Sequence, residues 1–380
     1  MRSWRPCVQC FATDAREPEG YSGMILEEVS VAARPDDVAL LRGMLEIESP
    51  SRGERPLAEY LCAEMARRGL RAHRDAAGNA VGEVGEAGPL VVLLGHMDTA
   101  PGRVPVRQEG DLLYGRGAVD AKGPLAAFIC AAWRLGRDAG VRVAVIGAVE
   151  EESATSCGAR HVAAAYHPDF CVIGEPSRWD RVTLGYKGRL LVDYAVQQGA
   201  AHSAGSVPTA AQRAVEFWNG VAALAACAGG RREFERLSPT LRRIHGESDG
   251  LRDAATLALS LRLPPGCDTQ ELRARLRELA GEAEVRFAGD EPAYRAPKNT
   301  PLVRAFLAAV RARGGAPAFA LKTGTSDMNV VGPVWGCPIL AYGPGDSALD
   351  HTPHEHISLA EYGRAIVVLH DALTRLGASQ

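Results

Sequence analysis

Long apolar runs are missing from this 380-residue chain, and the longest, such as residues 89–95 and 124–133, fall well short of the roughly 20 residues a membrane-spanning helix needs. No membrane span is expected. An excess of one charge is missing too. The formal net charge is -3, and the bases are interspersed with acids, so there is no basic field for a phosphate backbone and nucleic acid is not an expected partner. A disulfide framework is also absent: the nine cysteines are odd in number and scattered, which suits thiols in a reducing, cytoplasmic setting. Cys7-x-x-Cys10 has no second pair at zinc-finger spacing and reads as part of an exposed tail. Internal repeats, heptads and low-complexity segments are lacking.

What is present is an ordinary globular composition, 46% hydrophobic and 23% charged, long enough for two domains of moderate size. Residues 1–23 have no apolar core of signal-peptide length. They read as a disordered extension, or as the product of an upstream start codon with Met24 the true beginning. Residues 36–70 carry helical periodicity through Leu57, Tyr60, Leu61 and Met65, with Ser51 and Glu54 placed for a capping box. Short apolar runs between glycines follow at 90–94, 141–149, 170–173 and 339–342, and read as buried strands. The alanine-rich stretch 122–135 reads as a helix between the first two.

This order predicts an α/β fold with a mostly parallel central sheet and flanking helices. Residues 188–290 read differently: strand 189–196, helix 208–226, strands near Arg243 and over 254–263, helix 269–279 and strand 284–287. That is a β-α-β-β-α-β order, expected to form an inserted α+β lid or dimerisation domain. The catalytic domain is then 24–187 together with 291–380, ending in helices over 300–313 and 359–376.

The chemistry collects at strand ends. Gly95-His96-Met97-Asp98-Thr99 follows the run 89–94. If the backbone stays extended, Asp98 points the same way as His96 and can hold its second ring nitrogen while the first faces a metal. Asp120 sits in the glycine loop 115–123 just before a helix, where by itself it reads as an N-cap. The strand 141–149 ends in Glu150-Glu151-Glu152, three carboxylates whose repulsion is answered either by solvent or by a divalent cation. Glu175 follows the strand 170–173. The strand 339–342 leads to Asp350-His351-Thr-Pro-His354-Glu355-His356, an exposed loop or a ligand source. Acids and imidazoles recur where open α/β sheets place their ligand crevice. Histidine and carboxylates without thiolates suit zinc, cobalt or manganese, and an aspartate with two oxygens can bridge two ions.

With these residues assembled, the sequence after Met24 resembles the metallopeptidase clan that includes aminoacylase, acetylornithine deacetylase, succinyl-diaminopimelate desuccinylase and carboxypeptidases of that type. The resemblance implies a hydrolase of linear amide bonds with two divalent ions, zinc foremost and cobalt as the alternative. It implies His96 and Glu175 as ligands of the first ion, Asp120 as the bridge, and Glu151 with His351 as ligands of the second. It further implies Asp98 as the catalytic support of His96 and Glu150 as general base. Ala201-His202-Ser203 to Pro208 is similar to the motif whose histidine reaches the partner's active site in a homodimer. Arg262, in Leu259-Ser-Leu-Arg-Leu-Pro264, is implied to bind a substrate carboxylate.

Leu321-Lys-Thr-Gly-Thr-Ser-Asp-Met-Asn329 and Ala341-Tyr-Gly-Pro-Gly-Asp-Ser347 look most like the hydrolases that release lysine or ornithine from the acidic amino-group carrier protein LysW. Gly324, Thr325 and Asp327 would then join Arg262 in holding the released amino acid, Asp327 as partner of its side-chain cation. Deacylation of acetylornithine or succinyl-diaminopimelate is the alternative. Other classes fare worse. Lys322-Thr-Gly324 is also an element of serine β-lactamases, but the four lysines, Lys122, Lys187, Lys298 and Lys322, are preceded three residues earlier by Val119, Leu184, Arg295 and Phe319, so no Ser-x-x-Lys exists. The loop 115–123 lacks the ending of a phosphate loop. A catalytically silent binding protein would show a broken ligand set, whereas His96, Asp120, Glu150, Glu151, Glu175 and His351 are all present.

Overall fold

A computed structural model describes residues 33–137, 139–200 and 205–378. The extension 1–23, the Cys7/Cys10 pair, Met24 and His202 lie outside the described residues. The helical stretch expected over 36–70 is two helices, α1 (Pro35–Glu46) and α2 (Arg55–Arg67). A turn closed by the Gly53 N–H on the Pro50 carbonyl at 2.7 Å separates them, and a proline in the first turn restarts the helix, where its missing N–H costs nothing. The expected capping box does not form. Glu54 is the N-cap without a side-chain bond, and Ser51 Oγ instead donates to Asp98 at 2.7 Å.

The chain continues through β1 (Arg71–Arg74), β2 (Ala80–Val84), β3 (Leu90–His96), the short β4 (Arg107–Glu109) and β5 (Leu112–Tyr114), α3 (Lys122–Leu135), β6 (Arg142–Ala148), α4 (Cys157–Ala165), β7 (Phe170–Gly174) and β8 (Arg181–Tyr186). Next comes the inserted layer: β9 (Gly188–Gly199), α5 (Ala210–Cys227), β10 (Ser238–Ser248), β11 (Arg252–Leu263), α6 (Thr269–Ala280) and β12 (Glu284–Glu291). The return consists of β13 (Tyr294–Arg295), α7 (Pro301–Ala312), β14 (Ala318–Lys322), α8 (Asp327–Trp335), β15 (Ile339–Tyr342), β16 (His356–Ser358) and α9 (Leu359–Gly377).

The large sheet runs β1-β2-β6-β3-β7-β15-β8-β13, with β14 also on β8. Its centre, β6-β3-β7-β15, is parallel. Apart from Arg142 at the start of β6 and His96 at the end of β3, those strands are apolar, as suits a sheet with helices on both faces. On one face Leu41, Phe128, Phe306, Tyr362 and Leu369 are fully buried; on the other Val162, Met328 and Val331 are. Each large apolar side chain so buried contributes roughly 1.5–3 kcal/mol, so the carboxyl ends of these strands are held on a rigid base. The inserted residues form an antiparallel sheet, β10-β11-β9-β12, in the β-α-β-β-α-β order. This sheet has its own core, in which Tyr194 stacks on Phe217 with ring centroids 4.5 Å apart. Among the described residues no helix is long and apolar enough to cross a membrane.

Candidate metal centre

His96 is the last residue of β3, with its side chain 2% exposed. Its Nδ1 donates to the Asp98 backbone carbonyl at 2.9 Å. Because a carbonyl can only accept, Nδ1 is fixed as a donor and Nε2 faces the acids beyond. That nitrogen lies 3.1 Å from Asp120 Oδ1, 3.9 Å from Glu175 Oε1 and 4.0 Å from Glu151 Oε2. The backbone carbonyl at 98 takes the ring hydrogen bond, and the Asp98 carboxylate expected to support the ring lies 3.7 Å from Nδ1 and has further partners. It accepts the N–H groups of Glu151 and Glu152.

Asp120 is held by its loop. The Val119 and Asp120 N–H groups donate to Glu355 Oε1 at 3.0 and 3.1 Å, while Arg116 grips Glu355 Oε2 at 2.9 Å. Gly123 permits the tight return into α3, since a Cβ there would lie 2.3 Å from the Ala118 carbonyl. Asp120 thereby presents one oxygen to each imidazole: Oδ1 to His96, and Oδ2 to His351 Nε2 at 3.0 Å. His351 also lies 3.0 Å from Glu152 Oε1. Glu175 follows β7 directly and is 9% exposed.

Ligand atoms within 4.8 Å of one another thus form two triads, His96-Asp120-Glu175 and Asp120-Glu152-His351, sharing Asp120. The acidic run is shifted one residue from expectation. Glu150 has a left-handed backbone, φ 59°, which turns its side chain out of the centre. Its carboxylate accepts from Thr155 Oγ1 at 2.5 Å and faces Arg52 at 3.6 Å. Glu151 points inward and Glu152 closes the second triad. His354 is exposed and His356 is half-buried against the Tyr114 ring; neither belongs to a triad.

The electrostatics follow from this crowding. Burial, then the charges of Asp120 and Glu151, push the Glu175 carboxyl well above its usual range. Burial does the same to Glu151, with Asp327, Glu152 and Asp120 adding and His96 opposing. Hydrogen bonds to Asp120 and Glu152 push His351 up to about 11. Burial disfavours a charged His96, but the Asp120 hydrogen bond and the surrounding carboxylates outweigh it and raise that ring too. Carboxylates this close need compensating positive charge, which a borderline divalent cation in each triad would provide. The donor set, imidazole and carboxylate without thiolate, fits such ions.

A cavity of about 300 Å³ opens over the triads and is lined by Arg262, Gly324 and Thr325 among others. Arg262 reaches it from β11 and donates to Thr325 Oγ1 at 3.0 Å. Asp327 is not in the lining. It is 3% exposed at the start of α8, with Oδ1 lacking a hydrogen-bond partner among the described residues, so the structure does not bring it to the cavity wall. Lining groups not singled out from sequence are Glu152, Tyr186, Arg189, Lys322 and Asp350. Glu152, the last of three consecutive acids, and Asp350, the first residue of the histidine-rich run, carried a signal there without being given a role.

Two cation sites sharing an aspartate at the carboxyl ends of a parallel sheet, beside an inserted antiparallel layer, define the class: a metal-dependent amide hydrolase. The chain belongs to the peptidase family M20/M25/M40, whose model matches residues 92–375. It is 48% identical over 348 residues to the LysW-lysine hydrolase of Deinococcus radiodurans, covering 89% of this chain and 96% of that protein. It is 31% identical over 279 residues to the LysW-lysine/LysW-ornithine hydrolase of Saccharolobus solfataricus, covering 71% and 77%. Among solved structures, an M20 family metallo-carboxypeptidase from Sulfolobus solfataricus matches with TM-score 0.77 at 19% identity, covering 91% of this chain and 100% of that one.

Proposed function

We propose that this chain releases a basic amino acid, lysine or ornithine, from an amide with a LysW-type carrier protein in amino-acid biosynthesis. The observation that carries the reading is the 48% identity to the Deinococcus radiodurans hydrolase across 96% of that protein's length. In this reading His96, Asp120 and Glu175 hold one divalent ion and Asp120, Glu152 and His351 the other, zinc or cobalt suiting the donors equally. The two cations, when bound, supply Lewis-acid polarisation of the amide carbonyl and a lowered water pKa.

Glu151, not Glu150, is the general base: it lines the cavity outside both triads, takes the proton of the attacking water and passes it to the leaving nitrogen. Asp98 positions it through the backbone. Arg262, Gly324 and Thr325 hold the α-carboxylate end of the released amino acid. Asp350, a lining carboxylate outside both triads, replaces Asp327 as partner of the side-chain cation. His202 keeps the role its motif implies, stabilising the oxyanion across a homodimer.

Incubating the metal-loaded enzyme in parallel with lysine-loaded LysW, acetylornithine and succinyl-diaminopimelate tests the reading. Lysine release from the carrier at a rate well above the other two is the expected result. Silence toward the carrier conjugate with turnover of either small amide overturns it.

A further inference from the structure

Just beyond β6, successive backbone N–H groups are each held at 3.0 Å by a side-chain oxygen from a distant part of the chain. Val149 donates to Asn79 Oδ1, Glu150 to Glu54 Oε1, and Glu151 and Glu152 to the two oxygens of Asp98. Asn79 also holds Asp75 and the Gly158 carbonyl, and so has a place in the fold apart from this run. Glu54 has no such second contact. It is the N-cap of α2 but makes no side-chain capping bond. Its neighbours Arg52 and Arg55 pair with Glu150 and Glu59 instead, and among the described residues the Glu150 N–H is the one hydrogen-bond partner of its carboxylate. At 4% exposure this is a buried carboxylate without a cation, which is costly, and the positive end of α2 offsets only part of that cost. Local stability does not explain the acid; the bond it makes does.

The N–H it holds belongs to Glu150, whose left-handed backbone, φ 59°, is a conformation that a glutamate keeps only where its surroundings impose it. That turn sends the Glu150 side chain out toward Arg52, while Glu151 lines the cavity. Glu54 itself lies outside that lining and outside both triads. On the reading of Glu151 as the general base, we propose that Glu54 is a positioning residue for the hydrolysis. By holding the Glu150 N–H it keeps the left-handed turn, and with it the aim of Glu151 at the attacking water. It acts through the backbone, and the role requires an acceptor oxygen at this place, which a carboxylate supplies in its strongest form.

The test reads kcat, KM and metal content of the full-length, metal-loaded protein. The substrate is whichever of the carrier conjugate, acetylornithine and succinyl-diaminopimelate the wild type turns over, so a failure of the carrier reading leaves the test intact. Glu54→Leu removes the acceptor and is expected to lower kcat about 10- to 100-fold, the scale for residues that orient a site from behind, with KM within about twofold and both ions retained. Glu54→Gln should lose no more than about threefold, since its amide oxygen still accepts. Asparagine enters the left-handed region readily, so adding Glu150→Asn to Glu54→Leu should recover most of the lost kcat, while Glu150→Asn alone should be neutral. An unchanged kcat in Glu54→Leu, an equal loss in Glu54→Gln, or no recovery on adding Glu150→Asn overturns the proposal. So does a Glu54→Leu protein that fails to fold or to hold its ions, which shows a structural acid. A loss in Glu54→Leu beside wild-type kcat in Glu151→Gln overturns the base assignment, and the positioning role with it.

Discussion

The carboxylate of Asp98 accepts two successive backbone N–H groups, Oδ1 from Glu151 and Oδ2 from Glu152, each at 3.0 Å. Asp98 is fully buried and is itself steadied by Ser51 Oγ. It fixes the direction of the chain at the step where one glutamate enters the cavity and the next enters a triad. Asp98→Asn can accept only one of these N–H groups and turns an amide donor toward the other. Residues that orient a metal site in this way are worth about 10- to 100-fold in metal affinity or activity. A loss of that order is expected, measured by metal titration and kcat; unchanged metal affinity and kcat would count against the positioning role.

Glu150 and Glu151 are adjacent in sequence and opposite in direction. Glu151→Gln is expected to retain both metals and lose about 10²- to 10⁴-fold in kcat, the usual contribution of a positioned base. Glu150→Gln alters contacts to Thr155, Ser153 and Arg52, all outside the triads, and should leave kcat nearly unchanged. Steady-state kinetics on the two variants decides between them, and the reverse order would restore the base to position 150.

Glu355 is fully buried and accepts from the loop that carries Asp120 as well as from Arg116. Glu355→Ala leaves Arg116 without its carboxylate and two N–H groups without an acceptor. Breaking a buried pair from one side costs about 3–5 kcal/mol, so a large fall in unfolding free energy in denaturant titration is expected, together with weaker metal retention. A loss below about 1 kcal/mol, the scale of an exposed pair, would show that the loop is held by other contacts.

Asp350 is assigned the side-chain cation of the released amino acid. Asp350→Asn should raise KM for a lysine amide by about tenfold, equivalent to 1.4 kcal/mol, and leave KM for the matching norleucine amide unchanged. Equal effects on the two amides would remove that assignment.

Much of the scaffold was readable from sequence because burial imposes the pattern. The strand at Ile339–Tyr342 and the helix at Lys122–Leu135 coincide with uninterrupted apolar or alanine-rich runs bounded by glycine or charge. The inserted β-α-β-β-α-β order was readable for the same reason. His96 and Glu175 stood out as polar residues at the ends of such runs, Asp120 in a glycine loop and His351 in a histidine-rich one, and the four converge. The structure departs from that reading where backbone geometry rather than composition decides. Three identical glutamates carry no periodicity, and the left-handed turn at Glu150 directs its side chain away from the triads, which is why the proposed roles move by one residue. Ser51 was read as a cap because its bond to Asp98 is long-range. Asp327 was read as accessible because nothing in its neighbours announces that it starts a buried helix. Arg189 drew no notice, because only the register of β9 against β11 sets it opposite Arg262.

The central claim is that two divalent ions are held by triads sharing Asp120, with Glu152 a ligand and Glu151 not. Metal content per chain, by mass spectrometry of freshly purified and exhaustively dialysed protein, tests it in wild type, Glu151→Gln and Glu152→Gln. The expected contents are about two, two and one ions per chain, one for each intact triad. Fewer than one ion in the wild type, or a full complement in Glu152→Gln with a loss in Glu151→Gln, would contradict it.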